Sequence, residues 1–212
     1  MTDRLPFADD LYLACIDPRT RSVRAPSASM EYGLAGALLV ELLQSGHVVL
    51  DSRLVVPARW EPPVDVLAHL VFDAVVKQPE PCPAGDWLTY LAPTAVDRVA
   101  ERLSRGGFLQ ERRDRLSVRR RTYLAPTARA AQPPRVQWAR YEVHLGRRLG
   151  QDLAVFVGLV EAAGLGRQVF WGFDDRQRAH AAYCLRGVDH SYQNLCSEVR
   201  AALAAAVLTH RA

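Results

Sequence analysis

The chain has 212 residues and only one lysine, Lys77, so 26 of its 27 basic side chains are arginine. We interpret this bias, together with the many alanines, as the mark of a GC-rich bacterial genome. No stretch of about 18 uncharged apolar residues occurs, which argues against a membrane-spanning helix. The opening residues, MTDRLPFADD, are charged and contain no apolar segment, so no signal peptide is expected. We expect a cytoplasmic protein that meets a membrane, if at all, from its inner surface.

The sequence also lacks the spacings of a metal or redox site. The four cysteines form no CxxC pair, and no Cys/His spacing is suited to zinc. We expect four small buried thiols in a reducing compartment, namely Cys15, Cys82, Cys184 and Cys196.

No catalytic constellation is found among the remaining polar residues. His69 and Asp73 lie one helical turn apart, as a base and its orienting acid would, but together with Asp65 they more simply form the polar face of a helix. The pair Asp174–Asp175 is better explained as a helix N-cap than as a metal site. No HExxH motif occurs. We therefore expect a binding protein without cofactors, and not an enzyme.

Hydrophobic periodicity predicts a mainly α fold, a compact helical bundle with one or two β-hairpins. The strongest helix covers residues 30–45, with Ser29 as its N-cap and Gly46 at its end, followed by the strand HVVL. The stretch VDVLAHLVFDAVVKQ predicts a second helix, and DWLTYLAP a short one. TAVDRVAERLSRGG predicts another, with Thr94 as its N-cap and Asp97 in its first turn. Four further helices are predicted after residue 134.

Two glycines lie inside the helix predicted for 30–45. Gly33 and Gly36 each cost about 1 kcal/mol relative to alanine at such positions, which indicates that another backbone packs closely there. A phosphate-binding loop is the competing interpretation. It is disfavoured because no strand precedes the glycines and no Lys-Ser or Lys-Thr follows them.

Positive charge is concentrated in one window. Residues 98–121 contain nine arginines against two glutamates and one aspartate, a net charge of +6 in a chain whose total is +4. Within this window GGFLQERRDRLSVRRR alternates as two strands joined by a polar turn, with six arginines. The charge fits a solvated face, a winged-helix contact with nucleic acid, or an anionic lipid surface. Nucleic acid is disfavoured because the candidate recognition helix carries Asp97 and Glu101, which repel phosphate.

The order of segments resembles the Golgi phosphoprotein 3 family of peripheral membrane proteins. The resemblance rests on GLAGALLVELLQSGHVVLD, on VDVLAHLVFDAVVKQPEP followed by DWLTYL, on AVDRVAERLSRGGFLQERRDRLSVRRRTYLAP, and on QDLAVFVGLVEAAGLG. It covers residues 5–165 best, and residues 166–212 only as a helical tail packed on the same domain. It implies a single domain, 1–212, in which a central hydrophobic helix is surrounded by amphipathic helices.

The resemblance also implies binding to phosphatidylinositol 4-phosphate. The family's lipid pocket uses one tryptophan and three basic residues, whose positions here are Pro26, Ala35, Pro93 and Val96. None of these matches the family residue, and Tyr32 and Arg98 are the nearest suitable side chains. Arg21 and Arg24 could approach from the connector before the first core helix. The family's adaptor role toward Golgi enzymes does not carry over to a bacterium.

We therefore expect a peripheral protein that binds anionic phospholipid headgroups through an arginine-rich hairpin surface. The candidate lipid-binding residues are Tyr32, Arg21, Arg24, Arg98, Arg112, Arg113, Arg115, Arg119, Arg120 and Arg121. The competing hypothesis is a protein–protein interaction module without lipid binding. A winged-helix-like nucleic-acid binder remains the less favoured third interpretation.

Overall fold

Helices make up most of the computed structural model, which describes residues 5–17, 19–23, 25, 27–112, 122–126 and 134–209. The helices are α1 (Phe7–Ala14), α2 (Ser27–Gln44), α3 (Val66–Lys77), α4 (Ala84–Arg105), α5 (Pro134–His144), α6 (Gln151–Ala162), α7 (Gly166–Val169), α8 (Asp175–Arg186) and α9 (His190–Thr209). The strands are β1 (Val48–Asp51), β2 (Leu54–Pro57), β3 (Cys82–Pro83), β4 (Gln110–Arg112) and β5 (Thr122–Leu124). The mainly α fold predicted from hydrophobic periodicity is confirmed.

The central helix is α2. Most of its side chains are buried, and it contacts α1, α3, α4, α6 and α9. Gly46, with φ of +70°, turns the chain from the end of α2 into β1. The predicted N-cap is wrong, because α2 begins at Ser27 and Ser29 is buried inside it. The Ser27 hydroxyl donates to Glu31 Oε1 at 2.5 Å, one turn further on, so the first turn already includes Ser27.

Close packing against the two glycines of α2 is confirmed, with a different partner from the one expected. A Cβ atom on Gly33 would lie 3.0 Å from Ala163 Cβ, and one on Gly36 would lie 2.7 Å from Val199 Cγ2. The neighbours are therefore side chains from the end of α6 and from α9, and not another backbone. The glycines let these two elements approach α2 more closely than any side chain would permit.

Two small antiparallel sheets lie among the described residues. In the first, β2 pairs with both β1 and β3, which adds a strand after the predicted HVVL. In the second, β4 pairs with β5, with Glu111 opposite Tyr123 and Arg112 opposite Thr122. The predicted basic hairpin is thus confirmed at its base.

One continuous helix, α4, replaces the two that were predicted on either side of Pro93. Thr94 is therefore not an N-cap, and Asp97 lies well inside the helix. Buried side chains continue on both sides of Pro93, including Leu91 and Ala95, so core packing holds the helix together across it. Pro93 and Thr89 are exposed. Water can therefore bind the Thr89 carbonyl oxygen, which has no N–H partner at Pro93.

Replacing Pro93 with alanine should stabilise the protein, because Pro93 lies in a helix interior and buries no side chain. In a helix interior, proline lowers the stability by about 3 kcal/mol relative to alanine. Part of the gain from replacing it is offset, because the unfolded chain without the proline has more conformational entropy to lose on folding. We expect the free energy of unfolding, measured by urea denaturation, to rise by about 1–2 kcal/mol.

Thr94→Ala serves as the matched control. If Thr94 capped a separate helix, this variant would lose about 1 kcal/mol and Pro93→Ala would have little effect. In a continuous helix the Thr94 variant changes stability by less than about 0.5 kcal/mol.

Candidate functional site

Strands β4 and β5 form the base of the basic hairpin. Leu109, just before β4, and Tyr123 in β5 are buried, so both ends are anchored in the core. Because Arg112 is paired with Thr122, the chain from 113 to 121 starts and ends at adjacent points. The predicted residues Arg113, Arg115, Arg119, Arg120 and Arg121 lie outside the described residues, as does the side chain of Arg112.

Arg21, from the connector before α2, lies against this hairpin. Its carbonyl oxygen accepts a hydrogen bond from the Ala125 N–H at 3.0 Å, and its Nη1 donates to the Pro126 carbonyl at 3.2 Å. Arg21 has φ of +59°, in a turn where its N–H donates to the Asp17 carbonyl at 2.7 Å. One predicted connector residue is therefore in contact with the chain that leaves β5. Arg24 lies outside the described residues.

The positions of the family's lipid pocket carry no basic group here. Ala35 is fully buried in α2, Pro93 is exposed on α4, and Val96 is half-buried. Pro26 lies outside the described residues. Tyr32 is half-buried and packs against the hydrophobic core. Within the described part of the chain, no hydrogen bond or ring contact joins Tyr32 to Arg21 or Arg98.

Arg98 lies in a different place, a groove between α3 and α4. The larger part of this groove is a cleft of about 680 Å³ that runs from Leu70 and Arg98 to Cys82 and Asp86. A smaller cleft of about 130 Å³ adjoins it and extends to Asp65 and Arg105. Leu70 and Arg98 line both clefts, so Arg98 lies where they meet. Arg98 therefore lines this groove, whereas Arg21 contacts the chain that follows β5.

Arg102, one turn after Arg98, makes a buried ion cluster that the sequence did not predict. Its Nε donates to Asp9 Oδ1 at 2.8 Å, its Nη1 to Asp65 Oδ1 at 2.9 Å, and its Nη2 to Glu41 Oε1 at 2.9 Å. Asp65 also accepts from the Ala68 N–H as the N-cap of α3. The interpretation of Asp65 as part of a polar face was therefore wrong. Its carboxylate joins the start of α3 to α4.

The Arg102 cluster contains more negative than positive groups, since one guanidinium faces three carboxylates. Burial raises the pKa of Asp9 to about 7, although the nearby charge of Arg102 lowers it and that of Glu41 raises it further. The side chain of Asp9 is thus poised to hold a proton near neutral pH.

A second buried arginine anchors the other side of α1. Arg135 donates to Asp10, to Asp152 Oδ2 at 3.0 Å and to the Leu5 carbonyl at 2.8 Å. Its guanidinium lies 5.1 Å from the centre of the Phe7 ring. The adjacent carboxylates of Asp9 and Asp10 therefore connect α1 to α4 and to α5. Two acidic residues inside an otherwise apolar helix were the available signal in the sequence.

The other polar groups behave mostly as the sequence indicated. His69 is exposed, and Asp73 pairs with Lys77 at 2.7 Å. Asp174 forms a capping box at the start of α8, as its N-cap prediction requires. The four cysteines are free; Cys15, Cys184 and Cys196 are buried as expected, whereas Cys82 is only partly buried. Burial raises the pKa of Cys15 to about 12. In the described ranges no three His, Cys, Asp or Glu side chains form a metal site.

No helix in the described ranges has the length and apolar character needed to cross a membrane. A comparison with protein-family models matches residues 7–207 to the family described as Golgi phosphoprotein 3 (GPP34). This range runs from the first residue of α1 almost to the end of α9, and it includes the hairpin and the groove. No curated protein matches the chain.

The protonation of Asp9 should make stability depend on pH. Because the pKa of Asp9 is about 7 in the folded protein and about 3.9 in an unfolded chain, folding takes up a proton between these values. The contribution of Asp9 to the free energy of unfolding is largest below pH 4. It decreases by up to about 4 kcal/mol as the pH rises to about 7. Asp9→Asn mimics the protonated carboxyl group and should remove this dependence.

The measurement is the free energy of unfolding of both proteins at pH 5 and pH 8. We expect the stability of Asp9→Asn relative to the parent to increase with pH, since all other carboxyl groups are shared. Asp73→Asn, at an exposed ion pair, is the control and should show no such trend. A difference between parent and Asp9→Asn that stays constant with pH would contradict the assignment.

Proposed function

The chain belongs to the Golgi phosphoprotein 3 (GPP34) family, and from that premise we propose that it is a peripheral membrane protein that binds anionic phospholipid through its arginine-rich hairpin. The observation that carries the proposal is the pairing of Arg112 with Thr122 at the hairpin base. The two paired residues flank the segment of the sequence that is richest in arginine. The proposed activity is binding, without a catalytic step.

The net positive charge of residues 112–121 is large enough to support reversible attachment. Residues 112–121 contain six arginines and one aspartate, a net charge of +5. Each arginine near an anionic leaflet contributes about 1 kcal/mol, so several together give a useful affinity that salt weakens. Arg21, in contact with the chain after β5, and Arg24 on the same connector could add to this surface.

The preferred headgroup follows from the pocket positions. Ala35 is buried and apolar, so it offers no cation where the family has one. We therefore expect a response to surface charge in general, with phosphatidylinositol 4-phosphate as one acceptable headgroup. Tyr32 contributes to core packing and takes no part in the proposed attachment.

A second candidate function is a protein–protein interaction module. The observation in its favour is an apolar surface at the end of α5, where Trp138 and Tyr141 are exposed, together with Leu145 in the turn that follows the helix. The rings of Trp138 and Tyr141 lie 6.1 Å apart, edge to face. Exposed aromatic clusters of this kind mark contact surfaces.

Vesicle co-sedimentation tests the lipid proposal. We expect the protein to bind phosphatidylcholine vesicles containing phosphatidylglycerol, to ignore pure phosphatidylcholine, and to dissociate as salt is raised. The triple variant Arg119→Gln, Arg120→Gln, Arg121→Gln should bind at least about tenfold more weakly, because three cations are removed from the surface. Vesicles with phosphatidylinositol 4-phosphate at matched surface charge should bind no more tightly.

The matched control removes the same charge elsewhere. Arg167, Arg176 and Arg200 are exposed on other parts of the molecule, so their replacement by glutamine should leave vesicle binding nearly unchanged. Equal losses in both triple variants would contradict docking through the hairpin. Salt-sensitive binding to duplex DNA without any vesicle binding would favour nucleic acid instead, and vesicle binding that ignores anionic lipid would exclude the proposal.

A further inference from the structure

Among the described residues, the groove between α3 and α4 contains one cation, Arg98, without an ion-pair partner. Three other cations line this groove and each has a carboxylate partner: Lys77 with Asp73 at 2.7 Å, Arg102 with Asp65 at 2.9 Å, and Arg105 with Glu101 at 3.7 Å. Arg98 makes no ion pair or hydrogen bond with any other described residue. It is half-buried where the two clefts meet. Its guanidinium is therefore available to an anion that enters the groove.

Among the polar and charged side chains that line the groove, Leu70, Trp87 and Tyr90 provide apolar surface from both helices. Leu70 from α3 is 52% exposed and Tyr90 from α4 is 61% exposed, although both line the cleft. Trp87 lines the cleft between them, with its ring 5.7 Å from that of Tyr90 in an edge-to-face arrangement. The buried Trp87 Nε1 has no acceptor within the described part of the chain. A ligand with an apolar body would cover these surfaces.

The opposite end of the cleft restricts the charge of the ligand. Asp86 is exposed there and lies twelve residues before Arg98 on the same helix, about 18 Å along its axis. It is too far away to neutralise Arg98. Its carboxylate disfavours a second anion at that end. The groove thus fits one anionic group at Arg98 joined to an uncharged, apolar remainder.

We propose that this groove binds a single-chain anionic amphiphile, with its carboxylate or phosphate on Arg98 and its apolar chain along Leu70, Trp87 and Tyr90. The guanidinium fork forms paired hydrogen bonds with either oxyanion. The cleft volume of about 680 Å³ lies within the range of pockets for small ligands.

This site is distinct from the two lipid-binding regions already described. Neither Ala35, Pro93 nor Val96 lines the groove, so it does not coincide with the family's pocket positions. The hairpin strands β4 and β5 do not line it either. The proposal therefore does not depend on membrane docking through the hairpin, and each can fail alone.

Isothermal titration tests the proposal with dodecanoate and dodecyl phosphate, each below its critical micelle concentration. Both anions should bind, while dodecyltrimethylammonium, with the same chain and opposite charge, should bind at least tenfold more weakly. Arg98→Gln should weaken both anions at least tenfold, and Tyr90→Ala should weaken them through its lost apolar contact. Arg176→Gln, at an exposed position of α8 outside the groove, should leave binding unchanged.

A second measurement reports on the place of binding. The indole N–H resonance of Trp87, assigned with Trp87→Phe, should shift when dodecanoate is added to the parent and stay unchanged in Arg98→Gln. Should Arg98→Gln fail to fold, Arg98→Lys keeps the charge but loses the paired hydrogen bonds, and it should bind more weakly than the parent.

Three results would overturn the proposal. The first is that dodecyltrimethylammonium binds as tightly as the anions, and the second is that the Arg98 variants do not affect binding. The third is that the protein binds vesicles but not the monomeric amphiphiles. The hairpin triple variant should bind dodecanoate like the parent. A loss of amphiphile binding in that variant would assign it to the hairpin and exclude the groove.

Discussion

The fold depends on two adjacent carboxylates of α1 that are buried against two arginines distant in sequence. Asp9 meets Arg102 of α4, and Asp10 meets Arg135 of α5. Arg102 also meets Glu41 and Asp65, and Arg135 also meets Asp152. Removing either α1 carboxylate would therefore leave its arginine paired but would break the link of that arginine to α1. These pairs fix α1 between the helix that leads into the hairpin and the helix that follows it. The geometry of both proposed sites follows from that arrangement.

The arginines fall into two groups with different roles. Arg102 and Arg135 are neutralised by carboxylates and hold helices together, so their charge is not available at the surface. Arg98, only one turn from Arg102, has no such partner among the described residues. The net charge of +6 over residues 98–121 therefore overstates how strongly the helical residues of that window attract anions. The hairpin carries most of the charge that is not neutralised.

Local sequence patterns predicted much of the helical framework, because periodic burial is a local property. The core helix α2, the amphipathic α3 and the alternating strands of the hairpin all follow from spacing alone. Pro93 misled the prediction because it usually breaks a helix, whereas here buried residues on both sides keep α4 continuous. No local rule connects Asp9 with Arg102, since 93 residues separate them.

The candidate site was predicted only in part for the same reason. The sequence suggested Arg98 as a binding residue together with the hairpin, because both lie in one basic window, and the structure places Arg98 in the groove between α3 and α4. Whether Arg98 meets the hairpin depends on the face of α4 that Arg98 occupies and on the position of α3. Tertiary packing sets both. The contact between Arg21 and the Pro126 carbonyl likewise spans 105 residues and has no local signal.

The buried position of Ala35 bears on where the proposed attachment can lie. Ala35 lies within α2 and is fully buried, so a basic residue there would have to bring its charge out of the core, whereas an alanine packs into it. The family's pocket position in α2 therefore supplies no charge in this chain. The arginines of 112–121 lie outside α2, so the proposed attachment through them requires no charge in the core helix.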